Sequence, residues 1–334
     1  MNALFAFLRM PHLRVQVLLS RHIRSFMKVH FLYAGIECGL FKALETPAYR
    51  GDLMDRLGVR RPELFEVLLD LGVRLRELSR DRVGLYRLRS STALALASDD
   101  GDSIAAFIQE HVYYHGSVYR NFAERLRGGP LGDYLPETGT MIAQSSRLLE
   151  PFVAGFVKKV VKSGGPVTLL EIGCGSGIYL RHAARANPNL TGVGIDLRRE
   201  VVDQAVQNLS DWGLGERFKV VTGDIRNPPE GLDGQFDLIT LYNNIYYFDL
   251  AEYSALFKGL RSRLSSRGAL AIVSVMQGRS LTSLDLDLAL RSTVGCARLP
   301  GRAELIKRLK ESGFADVRSE RLMPGQPLFG LIAR

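Results

Sequence analysis

One segment, LLEIGCGSGIYL at residues 169–180, limits the possible folds more than any other part of the chain. An apolar run ends at Glu171, glycines then occupy positions 173, 175 and 177, and an apolar helical pattern follows. A strand, a glycine loop and a helix in this order are typical of parallel sheets that bind nucleotide-like ligands at their strand ends. Ile178 stands where a dinucleotide fingerprint has its last glycine, and the Lys-Ser/Thr pair of a phosphate-binding P-loop is absent. The loop by itself therefore leaves the ligand open.

The chain after residue 165 alternates short apolar strands with amphipathic helices. This pattern predicts a Rossmann-like α/β domain with a seven-stranded, mostly parallel sheet and helices on both faces. Five strands are predicted at 167–172, 191–196, 218–223, 236–242 and 268–275, and two more in the tail 315–333, around a Pro-Gly turn.

Acidic residues stand at the ends of three successive predicted strands. Glu171 precedes the glycine loop, where a carboxylate repels a pyrophosphate but attracts a ligand with an ammonium and a sulfonium group. Asp196 ends the second strand and can accept both hydroxyls of a ribose. Asp224 ends the third strand and can accept from an adenine amino group, while Ile225 can pack on the purine. Any one of these acids alone is equally consistent with a solvated carboxylate, but the ordered set predicts S-adenosylmethionine.

The N-terminal part has a different pattern, mostly helical. Apolar spacing predicts a helix over 31–45 and two short helices at 50–59 and 61–75, and the segment 76–90 has the charged tip and β-prone flanks of a hairpin. Three helices followed by a hairpin are typical of a winged helix.

A winged helix raises the possibility of DNA binding, which the charges oppose. The helix in the recognition position carries Glu63, Glu66 and Asp70, and three carboxylates would repel the phosphates of a groove. We therefore expect this module to form a homodimer and expect no nucleic-acid partner. The net charge of +9 is weak evidence for nucleic acid, because basic and acidic residues alternate along the whole chain.

Cysteine usage and the N-terminal segment bear on the compartment. The three cysteines form no C-x-x-C pair, which favours a reducing cytoplasm. Arg9 interrupts the first apolar run too early for a signal peptide, and no uncharged apolar stretch is long enough to span a membrane. We expect the basic residues 1–30 to pack on a partner subunit, with an anionic membrane surface as the alternative.

These segments together resemble the class I S-adenosylmethionine-dependent methyltransferases, over most of the chain. More narrowly, the chain resembles the small-molecule O-methyltransferases that carry an N-terminal winged-helix dimerisation domain. LLEIGCGSG and PNLTGVGIDL are similar to the cofactor signatures of that group, and AGIECGLFKALE, DLMDRLGV and PELFEVLLDLGV to its N-terminal module. YRNFAERLRGG resembles the helix before its substrate pocket and TMIAQSSRLLEPFV the helix over its cofactor. The predicted domains are accordingly a dimerisation domain (1–95), a helical linker that contributes to the substrate pocket (96–160) and the methyltransferase domain (161–334).

The resemblance implies a set of site residues. The predicted cofactor contacts are Glu171, Gly173, Gly175, Gly177, Asp196, Leu197, Asp224, Ile225, Tyr242 and Asn243. The predicted contacts of a small, aromatic or apolar, natural-product-like acceptor are Tyr113, Tyr119, Met141 and Tyr247.

The base that would activate the acceptor is the point where the chain departs from that group. The histidine that usually follows the fourth strand is replaced by Tyr246, and no histidine occurs after residue 182. His111 and His115 lie four residues apart, so they share a helix face near the acceptor and are the other catalytic candidates. No third ligand accompanies them in the sequence, so no metal is predicted. Packing is the alternative role for all three residues.

Methyl transfer needs proximity and a nucleophile with a lone pair, and only a hydroxyl acceptor benefits strongly from a base. The resemblance implies methylation at oxygen, and the missing histidine leaves an N-, C- or carboxyl-methyltransferase as the alternative. A non-catalytic regulator that binds S-adenosylmethionine is the alternative outside enzymes.

Overall fold

The structure is a computed structural model that describes residues 12–230, 232 and 234–334. The predictions for residues 1–11, Arg9 among them, lie outside the described residues. The chain divides into two compact units: unit 1 is Met1–Ser117 with Thr140–Ser145, and unit 2 is Val118–Gly139 with Ser146–Arg334. The predicted boundaries near 95 and 160 stay predictions. Among the described residues, no helix is long and apolar enough to cross a membrane.

Unit 1 consists of helices and a small antiparallel sheet with the strand order β1-β3-β2. Its elements are α1 (Leu13–Glu37), α2 (Leu40–Ala43), β1 (Ala48–Tyr49), α3 (Arg50–Leu57), α4 (Pro62–Leu75), β2 (Leu78–Arg80), β3 (Leu85–Leu88), α5 (Ser91–Ala97), α6 (Asp102–Gln109) and a π-helix (Glu110–His115). The two short helices and the hairpin lie where the sequence predicts them. The core of this unit includes Phe31, Phe41, Leu53, Leu69 and Tyr86.

The predicted continuous helix over 31–45 is wrong, because the chain breaks between α1 and α2. Gly39 adopts a left-handed conformation with φ 74°, and its N–H donates to the carbonyl of Ile36 at 3.0 Å. Glycine takes this conformation without strain and commonly ends helices. The turn brings the Phe41 ring against Gly35, where a Cβ atom would lie 2.5 Å from the ring.

Unit 2 contains the seven-stranded sheet, in the order β6-β5-β4-β7-β8-β10-β9. Its strands are β4 (Val167–Ile172), β5 (Leu190–Asp196), β6 (Phe218–Thr222), β7 (Phe236–Tyr242), β8 (Leu264–Val275), β9 (Val317–Arg321) and β10 (Leu328–Ala333). The pairs from β6 to β8 are parallel, and β10 pairs antiparallel with β8 and β9. The predicted mostly parallel, seven-stranded sheet is therefore confirmed.

Helices cover both faces of this sheet. The helices after α6 are α7 (Gly116–Arg120), α8 (Phe122–Leu126), α9 (Leu135–Ser145), α10 (Glu150–Val160), α11 (Ile178–Ala186), α12 (Arg199–Asp211), α13 (Tyr253–Ser262), α14 (Leu281–Arg291) and α15 (Arg302–Glu311). One apolar cluster packs Phe257 of α13 and Leu309 of α15 against the strands. A second cluster packs Phe156 of α10 and Leu180 of α11 against the other face.

Candidate cofactor and acceptor site

The glycine loop between β4 and α11 is held in conformations that other residues rarely adopt. The φ angles of Gly173, Gly175 and Gly177 are 62°, 54° and 77°. A Cβ atom on Gly173 would lie 2.3 Å from Nδ2 of Asn244. The three glycines therefore serve backbone geometry and close approach, as the sequence predicts for a ligand-binding loop.

Glu171, the last but one residue of β4, is a buried carboxylate. Its exposed fraction is 1%, and among the described residues its Oε2 has no hydrogen-bond partner. Burial and then the charge of Asp196 raise the pKa of Glu171 well above its ordinary value. An ionised carboxylate in this position gains most from a ligand that carries positive charge.

Asp196, at the end of β5, is tied to the loop. Its Oδ2 accepts from the Gly175 N–H at 3.0 Å and its Oδ1 from the Arg198 N–H at 3.2 Å. Each carboxylate oxygen retains a second lone pair. The side chain can therefore hold the loop and accept ribose hydroxyls together, whereas its neighbour Leu197 is 59% exposed.

Asp224, after β6, is engaged by Arg226. The Arg226 Nε lies 3.0 Å and 2.8 Å from the two carboxylate oxygens, and its backbone N–H donates to Oδ1 at 2.9 Å. Burial raises the pKa of Asp224, but the hydrogen bonds from Arg226 outweigh it, so the net pKa is lowered. The carboxylate is thus ionised and oriented, and Ile225 beside it is buried.

The segment after β7 lies against the glycine loop. Asn244 Nδ2 donates to the Ile172 carbonyl. Asn243 has a left-handed φ of 55°, and neither polar atom of its buried amide has a hydrogen-bond partner among the described residues. Tyr242 is buried beside Tyr179, with ring centroids 5.3 Å apart. Strained, unpaired polar groups of this kind concentrate at binding sites.

All ten predicted cofactor residues belong to unit 2, at the carboxyl ends of neighbouring parallel strands. The sheet changes direction between β4 and β7, and ligands of open α/β sheets bind at such a switch point. The residues present fit S-adenosylmethionine, since the buried carboxylate of Glu171 suits its cationic end and Asp196 and Asp224 suit its nucleoside.

Comparisons with known proteins agree with this geometry. Residues 169–268 match the family model for a methyltransferase domain. This chain contains a methyltransferase domain. The predicted family, enzyme class and cofactor are thereby confirmed at the level of the domain and its fold.

Curated relatives match this chain over a short stretch. Two tRNA (guanine-N(7)-)-methyltransferases, from Helicobacter hepaticus and Rubrobacter xylanophilus, are 36% identical over 58 residues and 33% identical over 57 residues. Each match covers 17% of this chain, and 14% and 25% of the relatives.

Solved structures share the fold over nearly the whole chain. The mitomycin 7-O-methyltransferase MmcR has a TM-score of 0.80 at 18% identity, covering 96% of this chain and 98% of that one. Human N-acetylserotonin methyltransferase in complex with S-adenosylmethionine has a TM-score of 0.76 at 16% identity, covering 98% of both chains.

Two of the predicted acceptor-side residues of unit 2 are packed aromatics. Tyr246 and Tyr247 lie in a 3₁₀ turn after β7, with ring centroids 5.0 Å apart. Tyr246 is 9% exposed and belongs to the apolar cluster, and Tyr247 packs against it. Tyr119 differs, because it is 56% exposed and its hydroxyl donates to Asp285 Oδ1 at 2.6 Å.

The other predicted acceptor-side residues belong to unit 1. His111 and His115 stack with ring centroids 4.6 Å apart, Tyr113 is 42% exposed and Met141 is half-buried. His111 Nδ1 lies 2.8 Å from the Phe107 carbonyl, which can only accept, so Nδ1 carries a hydrogen. His115 Nε2 lies 3.7 Å from Oε1 of buried Glu110. These residues stay candidates for catalysis and acceptor binding.

Four polar residues of note were absent from the sequence predictions: Glu110, Arg226, Asn244 and Asp285. The doublet NN at 243–244, directly after a buried strand, was a usable signal for Asn244. Arg226 follows Asp224 by two residues, the spacing of an Asx turn, which was also visible. Glu110 and Asp285 owe their positions to tertiary contacts with Ser145 and Tyr119, which no local pattern reveals.

Proposed function

We propose that this protein transfers the methyl group of S-adenosylmethionine to a small aromatic or apolar acceptor, with oxygen as the accepting atom. The observation that carries the proposal is the buried carboxylate of Glu171 beside the glycine loop, whose Oε2 has no hydrogen-bond partner among the described residues. Its pKa is raised by burial and by Asp196, so the site favours a ligand with an ammonium and a sulfonium group. The O-methyltransferases among the fold neighbours support the choice of oxygen.

In the proposed mechanism, the residues of unit 2 bind and align. Asp196 would accept hydrogen bonds from the ribose hydroxyls, Asp224 would accept one from the adenine amino group, and Ile225 would pack on the purine. Glu171 and the loop backbone would hold the amino-acid end. Bound S-adenosylmethionine supplies an activated methyl carbon, and transfer then needs an acceptor held in line with the carbon–sulfur bond.

N-, C- or carboxyl-methylation is the second candidate, and one specific observation favours it. Tyr246 stands where the small-molecule O-methyltransferases that this chain resembles have their histidine. A tyrosine, with an ordinary pKa near ~10, is a poor base at neutral pH. A carboxylate or a neutral amine needs no deprotonation before it attacks.

Asp196→Ala is expected to weaken S-adenosylmethionine binding about tenfold or more. The variant removes charge-assisted hydrogen bonds worth ~1.5–3 kcal/mol, and about 1.4 kcal/mol corresponds to a tenfold change in affinity. Isothermal titration calorimetry measures the affinity of both proteins for S-adenosylmethionine. Asp203→Ala, which removes an exposed carboxylate of α12, is the matched control and should bind normally. Unchanged affinity in Asp196→Ala would reject the site assignment.

We further propose that α1 lies in a homodimer interface. Eight large apolar residues of this helix are between 38% and 58% exposed: Val15, Val17, Leu18, Leu19, Ile23, Phe26, Met27 and Val29. A contiguous apolar surface of this kind is typical of association sites. The assignment of unit 1 as a winged-helix dimerisation domain rests on the same observation.

The double variant Ile23→Asp, Phe26→Asp of the full chain is expected to be mainly monomeric. Each buried apolar side chain contributes roughly 1.5–3 kcal/mol, so the dimer should weaken at least tenfold. Light scattering should give two chains of 37.1 kDa for the unchanged protein and one for the variant. Val83→Asp, at the hairpin tip and 71% exposed, is the control. A monomeric unchanged protein would contradict the proposal.

A further inference from the structure

Unit 2 contributes a single histidine, and that residue is already paired. Within unit 2, His182 is the only histidine of the sequence, and its Nε2 lies 2.9 Å from Glu150 Oε1. Any group of this unit that accepts a hydrogen bond from a methyl acceptor must therefore be a carboxylate, an amide, a hydroxyl or a backbone carbonyl. A carboxylate is the strongest of these acceptors.

Asp285, on α14, is a carboxylate whose position is fixed by Tyr119. The Tyr119 hydroxyl donates to Asp285 Oδ1 at 2.6 Å, a short hydrogen bond. This hydrogen bond, followed by burial, raises the pKa of Tyr119 to about 12. Tyr119 thus keeps its proton and acts as the donor, and Asp285 is the acceptor. Asp285 is half-buried, so its carboxylate is neither fully solvated nor enclosed.

The pair lies at the same edge of the sheet as Tyr246. Helix α14 begins shortly after the carboxyl end of β8, and its Leu286 and Leu290 pack in the apolar cluster that contains Tyr246. The backbone after α14 returns to this turn, since the Ala297 N–H donates to the Tyr246 carbonyl at 2.7 Å.

The segment that carries Tyr119 is attached to the same region. Farther along it, the Gly132 N–H donates to the Ser292 carbonyl, and the Gly132 carbonyl accepts from Val294, both at 2.9 Å. These bonds hold the segment to the end of α14, so the contact between Tyr119 and Asp285 is one of several that connect the two elements.

We propose that Asp285 binds the attacking group of the methyl acceptor, and therefore that the acceptor presents an O–H or N–H group rather than a carboxylate. This inference rests on the proposed function. The acceptor donates its hydrogen to Asp285 and its lone pair points to the methyl carbon. As that lone pair forms the new bond, the carbon–sulfur bond breaks and its electron pair stays on sulfur. A hydroxyl acceptor then passes its proton to Asp285, whereas an amine acceptor keeps its hydrogen bond to Asp285 and leaves as the ammonium.

A carboxylate suffices for this proton transfer because it occurs late. A methylated oxygen that still carries its proton is far more acidic than a carboxylic acid, so Asp285 needs no raised basicity. A carboxylate acceptor, in contrast, would be repelled by Asp285 at close range. Tyr119 acts as a positioning residue, because it holds one oxygen of Asp285 and reaches the acceptor only through it.

The experiment compares three probes that share one ring system: 2-naphthol, 2-(aminomethyl)naphthalene and 2-naphthoic acid. Their binding to the full-length protein saturated with S-adenosylhomocysteine is measured by ligand-observed NMR. The unchanged protein should bind the naphthol and the amine about tenfold more tightly than the naphthoate. Asp285→Asn keeps the size of the side chain and an acceptor for Tyr119 but removes the charge, and should reduce that ratio about tenfold.

Two further variants separate recognition from stability. Asp287→Asn makes the same substitution at another aspartate of α14, one that accepts from the Leu299 N–H at 2.7 Å. It should leave the probe ratio unchanged even if it lowers Tm. Tyr119→Phe removes one hydrogen-bond donor to Asp285 and should reduce the ratio by a smaller factor than Asp285→Asn. A merely structural role for Tyr119 would change Tm without changing the ratio.

An equal probe ratio in the unchanged protein and Asp285→Asn would overturn the proposal, as would preference for the naphthoate or failure of all three probes to bind at millimolar concentration. The same samples report on the proposed function, because S-adenosylhomocysteine binding is measured first. Normal binding of S-adenosylhomocysteine with no dependence on Asp285 rejects only the role of Asp285. Absence of that binding rejects the proposed function itself.

Discussion

Glu171→Gln is expected to weaken S-adenosylmethionine binding about 30-fold and to raise the melting temperature of the ligand-free protein at neutral pH. The two effects have one cause, the buried carboxylate without a hydrogen-bond partner on Oε2. Loss of its interaction with a cationic ligand costs about 2 kcal/mol, which corresponds to the 30-fold change. Glutamine has the same shape without the charge that burial opposes.

The pH dependence of the stability effect follows from the direction of the pKa shift. Burial and Asp196 raise the pKa of Glu171 in the folded protein above its unfolded value of about 4.3. The protonated form is therefore favoured by folding, and the ligand-free protein loses stability as the pH rises through the raised pKa. Glu171→Gln should show no such loss, so the gain in Tm should be present at neutral pH and should vanish below pH ~4.

Calorimetry and thermal unfolding measure the two effects of Glu171→Gln, on ligand affinity and on Tm. The control Glu216→Gln distinguishes them from a general effect of removing one negative charge. Glu216 is exposed, so its substitution should change neither quantity. S-adenosylhomocysteine lacks the sulfonium charge and should lose less affinity than S-adenosylmethionine in Glu171→Gln. A variant that binds both ligands normally, or that melts at a lower temperature, would contradict the electrostatic interpretation.

The sheet of unit 2 is predictable from sequence because its strands are buried and bounded by glycine or charge. β4 and β7 occupy the predicted residues, and β8 begins earlier than predicted, at Leu264, because SSR at 265–267 lacks the apolar character of a strand. The helix break at Gly39 was not predicted. Apolar spacing continues across it, and the left-handed turn is favoured by the packing of Phe41 on Gly35.

The cofactor side is more predictable than the acceptor side for a physical reason. Glu171, Asp196 and Asp224 follow strand ends, so local sequence fixes their place in the sheet. Asp285 depends instead on a hydrogen bond to Tyr119, which lies 166 residues away in the chain. Polar residues within helices have no comparable local signal.

The identity of the base gives the last expected result. If a histidine of the π-helix at 110–115 is the base, His111→Ala or His115→Ala should lower the rate of methyl transfer about 100-fold or more. The rate should also depend on pH, because an imidazole base must be unprotonated to accept the proton. The structure fixes the orientation of one of these rings, because the Nδ1–H of His111 is held by the Phe107 carbonyl at 2.8 Å.

Tyr246→Phe is the matched comparison, since it removes one hydroxyl and keeps a ring that packs in the apolar cluster. A hydroxyl that only orients the acceptor contributes one neutral hydrogen bond, so the rate should fall about tenfold at most. The acceptor must be identified first, and the kinetics are then measured across pH for all three variants.

A flat pH profile with both histidine variants active would exclude an imidazole base. It would leave alignment, with Asp285 as the proton acceptor, as the whole of the mechanism. A profile that depends on one histidine would instead locate the base on the π-helix and confine Asp285 to orienting the acceptor.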